Sequence, residues 1–265
     1  MASFGSTRSA RAADTATPSP HASPSTIEQE SADVDPTSPT EAWTFIGAYT
    51  GSTYGPGDLR LLQIIPREEI LRIGTSLLRA TLPPIRTIQG VDSGFGDAQV
   101  FYLFSHHITQ GRLGVGFDVS VPTASDANLG SGKWSVGPSV GFVKLNRKAR
   151  FIGGALLQTF FSVAGPSWRR AQSLVAFQPI LVAQLGGGWS LRSADSTWTF
   201  DLERGNSIMP LSLGVGKLQH IGKQTFNFIL SDEATVVHAN APNAPKNTLR
   251  FFIRIIYPRD YKGSV

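Results

Sequence analysis

The run Arg112-Leu113-Gly114-Val115-Gly116-Phe117-Asp118-Val119-Ser120-Val121 is the most informative in the chain. Leu113, Val115, Phe117, Val119 and Val121 share one parity; Arg112, Gly114, Gly116, Asp118 and Ser120 share the other. A helix would scatter such residues around its circumference, whereas a strand sends alternate side chains to opposite faces, so a period of two specifies a strand. The pattern recurs. Trp134 to Phe142 sets Trp134, Val136, Pro138, Val140 and Phe142 against Ser135, Gly137, Ser139 and Gly141. Met209 to Val215 sets Met209, Leu211, Leu213 and Val215 against Pro210, Ser212 and Gly214, and Thr197 to Glu203 sets Trp198, Phe200 and Leu202 against Thr197, Thr199, Asp201 and Glu203.

Extending this reading between Gly, Pro, Asn, Asp and Ser punctuation gives about twelve strands. They begin near Trp43, Leu59, Ile70, Ala98, Arg112, Lys133, Arg150, Ser173, Trp189, Ile208, Gln224 and Leu249. An even count, with about ten residues per strand and short connectors, suits an antiparallel transmembrane β-barrel. A soluble sandwich would show the same alternation with its apolar face turned inward. Two features favour the barrel. The polar face carries glycine and hydroxyls rather than the Lys and Glu of a water-exposed sheet, and Trp43, Trp134, Trp189 and Tyr257 sit near strand ends, where interfacial girdles belong. The fold expected is all-β, a barrel of about twelve strands.

Composition agrees. The chain has 27 glycines and 16 phenylalanines, with only 16% charged residues. No stretch approaches the roughly 18 uninterrupted apolar residues of a spanning helix. Phe151 to Ala164 comes nearest, but it is short and interrupted by Gly153, Gly154 and Gln158. With no cysteine there are neither disulfides nor thiolate metal sites. The net charge of +5 is unclustered, which argues against nucleic acid as a partner.

Residues 1–40 are of another kind. Thr15 to Pro39 is dominated by Ser, Thr, Pro, Ala and acidic residues and cannot bury enough surface to offset its ordering entropy, so a disordered tail is expected there. Met1 to Ala13 has arginines but no apolar core of a secretion signal, although Ala10-Arg11-Ala12 followed by Ala13-Asp14 has the small-x-small form of a cleavage site. The tail is therefore read as the remnant of a signal peptide whose start lies upstream. The expected division is tail 1–40, barrel 41–258 and a C-terminal extension 259–265.

Charges on the polar face give the candidate pore-lining set: Arg72, Asp118, Asp201, Arg250 and Arg254. In the last strand Leu249, Phe251, Ile253, Ile255 and Tyr257 would face lipid and Arg250 and Arg254 the lumen, because an arginine facing mid-bilayer lipid costs about 2–4 kcal/mol. Their structural role is an ion-pair network filling the lumen; their functional role is lining a path. Arg79 shares parity with Leu71, Ile73 and Leu77, which predicts a bulge or an interfacial position.

Adjacent His106 and His107 point to opposite faces of a strand and cannot grip one ion. Asp126-Ala127-Asn128-Leu129-Gly130 starts like a calcium loop but has Ser131 at the sixth position and no closing glutamate, which leaves a turn. A barrel hydrolase would need a serine, a histidine and an orienting group on one wall. Ser105 and His106 face apart, and Ser162, Ser173 and His220 show no pairing in sequence. The Gly-x-Gly pieces at 94–96, 114–116 and 214–216 lie in or beside strands and form no phosphate loop. No catalytic residue, metal ligand or cofactor is assigned.

The chain also resembles the outer-membrane β-barrel family named for the meta-cleavage (MetA) pathway of phenol degradation. The matching stretches begin with Gly94-Phe95-Gly96-Asp97, Val121-Pro122-Thr123-Ala124-Ser125-Asp126, Leu129-Gly130-Ser131-Gly132-Lys133-Trp134 and Val136-Gly137-Pro138. They continue with Gln178-Pro179, Leu185-Gly186-Gly187-Gly188-Trp189, Pro210-Leu211, Gly214-Val215-Gly216-Lys217, Ile221-Gly222-Lys223-Gln224 and the closing strand Leu249 to Pro258. The secretion signal, any counterpart of residues 1–40 and an ending near the closing aromatic all depart from the family pattern. The resemblance implies a transporter-like barrel in the outer membrane of a Gram-negative bacterium. Its expected partners are outer-membrane lipids, a small-molecule solute (aromatic or hydrophobic compounds) and the barrel-assembly machinery. The alternatives are a lipid-hydrolase barrel and a soluble β-sandwich binding module.

Overall fold

The computed structural model describes residues 42–51, 63–65, 67–70, 74–88, 92–109, 111–146, 148–193, 196–222, 224–242 and 244–256. Leu59, Arg72, Tyr257, the tail 1–40 and the extension 259–265 lie outside them. The strands are β1 (Ala42–Gly51), β2 (Gln63–Ile65), β3 (Arg67–Ile70), β4 (Gly74–Thr81), β5 (Ile85–Ile88), β6 (Asp92–Phe95), β7 (Ala98–Ile108) and β8 (Gly111–Val121). They continue with β9 (Trp134–Asn146), β10 (Phe151–Ala164), β11 (Ser173–Gly186), β12 (Trp189–Arg192), β13 (Trp198–Asp201), β14 (Asn206–Ile221), β15 (Gln224–Ala239) and β16 (Asn247–Ile256).

Each wall strand pairs antiparallel with its sequence neighbour, β16 pairs with β1, and β10 pairs with β11, so the sheet closes on itself. β2 and β3 together fill one place in the ring, as do β12 and β13, and β5–β6 is a separate hairpin. Among the described residues the ring therefore has twelve positions. The expected barrel is observed, and two stacked sheets are not. Closure pairs the first and last strands of the wall with each other, which is how a barrel satisfies its backbone amides without water.

The two ends differ. Ala42 lies opposite Ile256, and the connectors at that end span two to four residues, as between Ile108 and Gly111 or Asn146 and Phe151. The turn Gly187-Gly188 has φ of +58° and +78°, the left-handed pair that a two-residue hairpin requires. At the other end most segments between strands are longer, 202–205 excepted: 82–97 contains the β5–β6 hairpin, and 122–133 joins β8 to β9. We call these the turn end and the loop end.

The wall is inside out relative to a soluble protein. Along β9, Trp134, Val136, Pro138 and Val140 are exposed, while Ser135, Gly137, Ser139 and Gly141 are buried. On β14 Leu213 is 67% exposed and on β16 Phe251 is 45% exposed, whereas Arg254 is only 6% exposed. Leaving such residues in water forfeits about 1.5–3 kcal/mol each, so the exterior is a surface for hydrocarbon. Trp134 stands at the loop end of its strand and Trp189 at the turn end. Lys217 faces outward opposite Trp189 and reaches back to donate from Nζ to the Gly187 carbonyl at 2.7 Å, a snorkelling lysine near the rim. Asp232 faces outward between Leu213 and Leu249, level with the loop-end start of β16.

The interior is not uniformly polar. Leu77, Phe101, Leu103, Val143, Ile152, Leu156, Ile180 and Val182 form a buried apolar cluster inside the lumen, on the wall from β4 to β11 and toward the turn end. Glycine makes it possible: a Cβ on Gly114 would lie 2.7 Å from Leu103 Cδ2, so the bare inner face of β8 is what seats that leucine. The cluster corrects the expectation for Arg79. β4 and β7 pair in register from Thr75 to Thr81 without a bulge, and Arg79 and Leu77 both point inward. Arg79 shares parity with leucine because this part of the lumen is apolar, and its guanidinium lies 4.6 Å over the Phe101 ring.

Candidate functional site

The barrel encloses a cavity of about 920 Å³ that runs from the loop end toward the wall formed by β11 to β16. Its mouth is shaped by two segments that brace each other. Phe95 N donates to Ser125 Oγ (3.0 Å), Ser125 N to Phe95 O (3.0 Å) and Arg86 Nη1 to Leu129 O (2.8 Å). Asp97 is the anchor: it accepts from Ser131 N (2.6 Å), Ser131 Oγ (2.9 Å) and Ala124 N (3.2 Å). In Asp97→Ala the 122–133 segment should open. Protease cleavage within it, followed by mass spectrometry on folded barrel, should rise on the order of tenfold or more, since each charge-assisted bond lost is worth roughly 1.5–3 kcal/mol. An unchanged cleavage rate would mean that something else holds the segment.

Register places four of the five candidate residues on the inward face. Asp118 lies opposite Phe101 and Gly137, is 2% exposed, and accepts from Gln158 Nε2 at 2.5 Å, so it sits beneath Gln158 rather than at the cavity surface. Asp201 ends β13, accepts from Glu203 N (3.0 Å) and Arg204 N (3.1 Å), and lines the cavity mouth. Arg250 forms a two-pronged pair with Glu233, Nη1 to Oε2 at 2.7 Å and Nη2 to Oε1 at 2.8 Å. Arg254 lies four residues further down β16, opposite Thr44 and Asn227. The fifth, Arg72, is outside the described residues.

Sequence reasoning missed Arg79, Arg192 and Glu233, all of which line the cavity. Glu233 was hidden by mixed signals: Asn227 and Ser231 share its parity, but so does Ile229, and Asp232 falls on the face of Phe226, Phe228 and Leu230. Arg192 closes a four-residue strand, too short for alternation to speak.

No protein-family model matches this chain, and no curated protein sequence does. Among solved structures, an outer membrane channel from Pseudomonas putida F1 superposes with a TM-score of 0.61 at 14% identity, over 84% of this chain and 99% of that one. The two chains share one fold, a closed antiparallel β-barrel. The outer membrane channel DcaP of Acinetobacter baumannii shares 11% identity over 81% of this chain and 71% of that one, with a TM-score of 0.35, too low to bear on the fold.

Within this barrel the remaining candidates resolve locally. His106 and His107 are adjacent in β7, opposite Leu113 and Arg112, and face apart. Asp126 Oδ1 accepts from Asn128 N at 2.8 Å, a turn-forming bond that, as its largest cause, holds this exposed carboxyl below its ordinary pKa. His220 Nδ1 bonds Thr225 Oγ1 (2.9 Å) at the turn end, whereas Ser162 accepts from Gln172 N (3.0 Å) at the loop end and Ser105 donates to Thr75 O (3.0 Å). These contacts hold the serines and His220 at separate places on the wall.

Proposed function

We propose that this protein is a passive channel of the outer membrane of a Gram-negative bacterium, passing or binding small solutes without a covalent step. The observation that carries this reading is the reversal of polarity across one closed wall: hydrocarbon-compatible outside, arginine-lined cavity inside. Short turns at one end and long loops at the other match the periplasmic and external ends of such barrels. Twelve strands fall between small barrels filled by side chains and the open sixteen-stranded pores, and the apolar cluster fills part of the width, which suits small solutes. The likeness to the Pseudomonas putida channel supports the fold on which this rests. The sequence resemblance to the phenol-degradation family adds aromatic or hydrophobic compounds as the solute class. Lipids and the barrel-assembly machinery would be the obligate partners.

Planar-bilayer recording of refolded protein tests the reading. Stable unitary currents are expected, and Arg254→Ala should change their amplitude or ion preference, since the residue lies low on the charged wall. A folded barrel that stays silent would overturn it. No observation favours the hydrolase alternative.

A further inference from the structure

The charge of the cavity is lopsided. Among the described residues eight arginines line it, against the three carboxylates Asp97, Asp201 and Glu233. Counting Asp118 beneath Gln158 makes four, and the lining includes no lysine or histidine. The described lining, with Asp118 included, thus holds four more arginines than carboxylates.

Two of these arginines share one level of the wall. The register runs from Arg192 on β12 to Gly214 on β14, Ser231 on β15, Arg250 on β16 and Ala48 on β1. Two guanidinium-bearing positions that both line the cavity are thus separated on the wall by a glycine and a serine. Ser231 is 2% exposed, and its Oγ has no hydrogen-bond partner among the described residues. Arg192 is steered locally: Nη2 donates to Ser190 Oγ at 3.1 Å, and the chain lies over Gly216, where a Cβ would come within 3.2 Å of it. The next level toward the turn end reads Ser190, Gly216, Ile229, Phe252 and Ile46, so apolar side chains lie directly below the basic level.

We propose that this wall is a binding site for small organic anions, specifically a carboxylate carried on an apolar body. The proposal rests on the channel reading for its purpose but not for its test. The carboxylate meets Arg192 and the Arg250 edge, where planar guanidinium donors suit two oxygens. The body lies on Phe252 and Ile229. Neutral amides lack the charge, and acetate lacks the body.

The test is calorimetric titration of detergent-folded barrel with benzoate, benzamide and acetate. Benzoate is expected to bind about tenfold or more tightly than either of the others, a difference of about 1.4 kcal/mol. Arg192→Gln should cost benzoate about tenfold and leave benzamide unchanged, with folding checked by heat-modifiable gel mobility. Wild-type protein that binds benzamide as well as benzoate overturns the proposal without any variant. So does an equal loss for both ligands in Arg192→Gln, which would mark the residue as structural. Bilayer recording separates the two readings: a silent barrel that still prefers benzoate sinks the channel and keeps the site, and a conducting barrel with no preference does the reverse.

Discussion

Phe251→Arg is expected to destabilise the membrane-inserted barrel by about 2–4 kcal/mol. Phe251 is the fifth residue of ten in β16, faces outward between Gly47 and Leu230, and lies among Leu249 and Ile253 of its own strand. One residue earlier, Arg250 carries the same charge inward, to Glu233. The substitution thus keeps the residue type of its neighbour and changes only the side of the wall on which it falls. Urea titration of protein folded into phospholipid vesicles, followed by tryptophan fluorescence, would give the cost. A change within about 0.5 kcal/mol, ordinary for a soluble surface, would mean that this face meets water.

The second large effect concerns the Arg250–Glu233 pair. Glu233→Ala should cost about 2–3 kcal/mol, at or below the lower end for a broken buried pair, because 19% of the Arg250 side chain remains exposed to share its charge with solvent. The double variant Arg250→Met, Glu233→Leu should recover most of that loss, since apolar residues of similar volume need no partner. The same urea titrations read both. If the single variant is as stable as wild type, water in the cavity already satisfies Arg250. A double variant no better than the single would locate the damage in packing instead of charge.

Much of the barrel could be read before any coordinates, and the reasons are physical. Strand starts expected at Ala98, Ser173, Trp189 and Gln224 are those observed, and Arg112, Lys133 and Arg150 fall within one residue of theirs. Long strands with one face in lipid must alternate, so β8, β9 and β16 announce themselves. Where alternation fails, so did the reading. The strand expected at Ile70 starts at Gly74 instead, and its partner is split into the short β2 and β3, which carry too few alternations to read. The β5–β6 hairpin was missed because two four-residue strands carry too few alternations to register. Arg79 was misplaced for a deeper reason. Parity sorts residues into two faces but does not say that part of the inner face is itself greasy, and the apolar cluster comes from five strands far apart in sequence. Arg250 and Arg254 were legible because only one side of β16 could hold them; the level shared by Arg192 and Arg250 was not, because it depends on which strand lies beside which.

The leucine-rich filling against β4 to β11 also makes the passage lopsided. With that flank filled toward the turn end, the remaining space touches β1, β4, β7, β8 and β10 as well as β11 to β16; of its wall-borne guanidinium groups, Arg79 stands on the filled flank and Arg192, Arg250 and Arg254 on the other. Arg250 and Arg254, four positions apart on one strand, stand about 13 Å from each other along it, two stepping stones down the same bank. On the channel reading, a solute travelling there would pass more positive charge on one side than on the other, so its sidedness would govern transit more than its length.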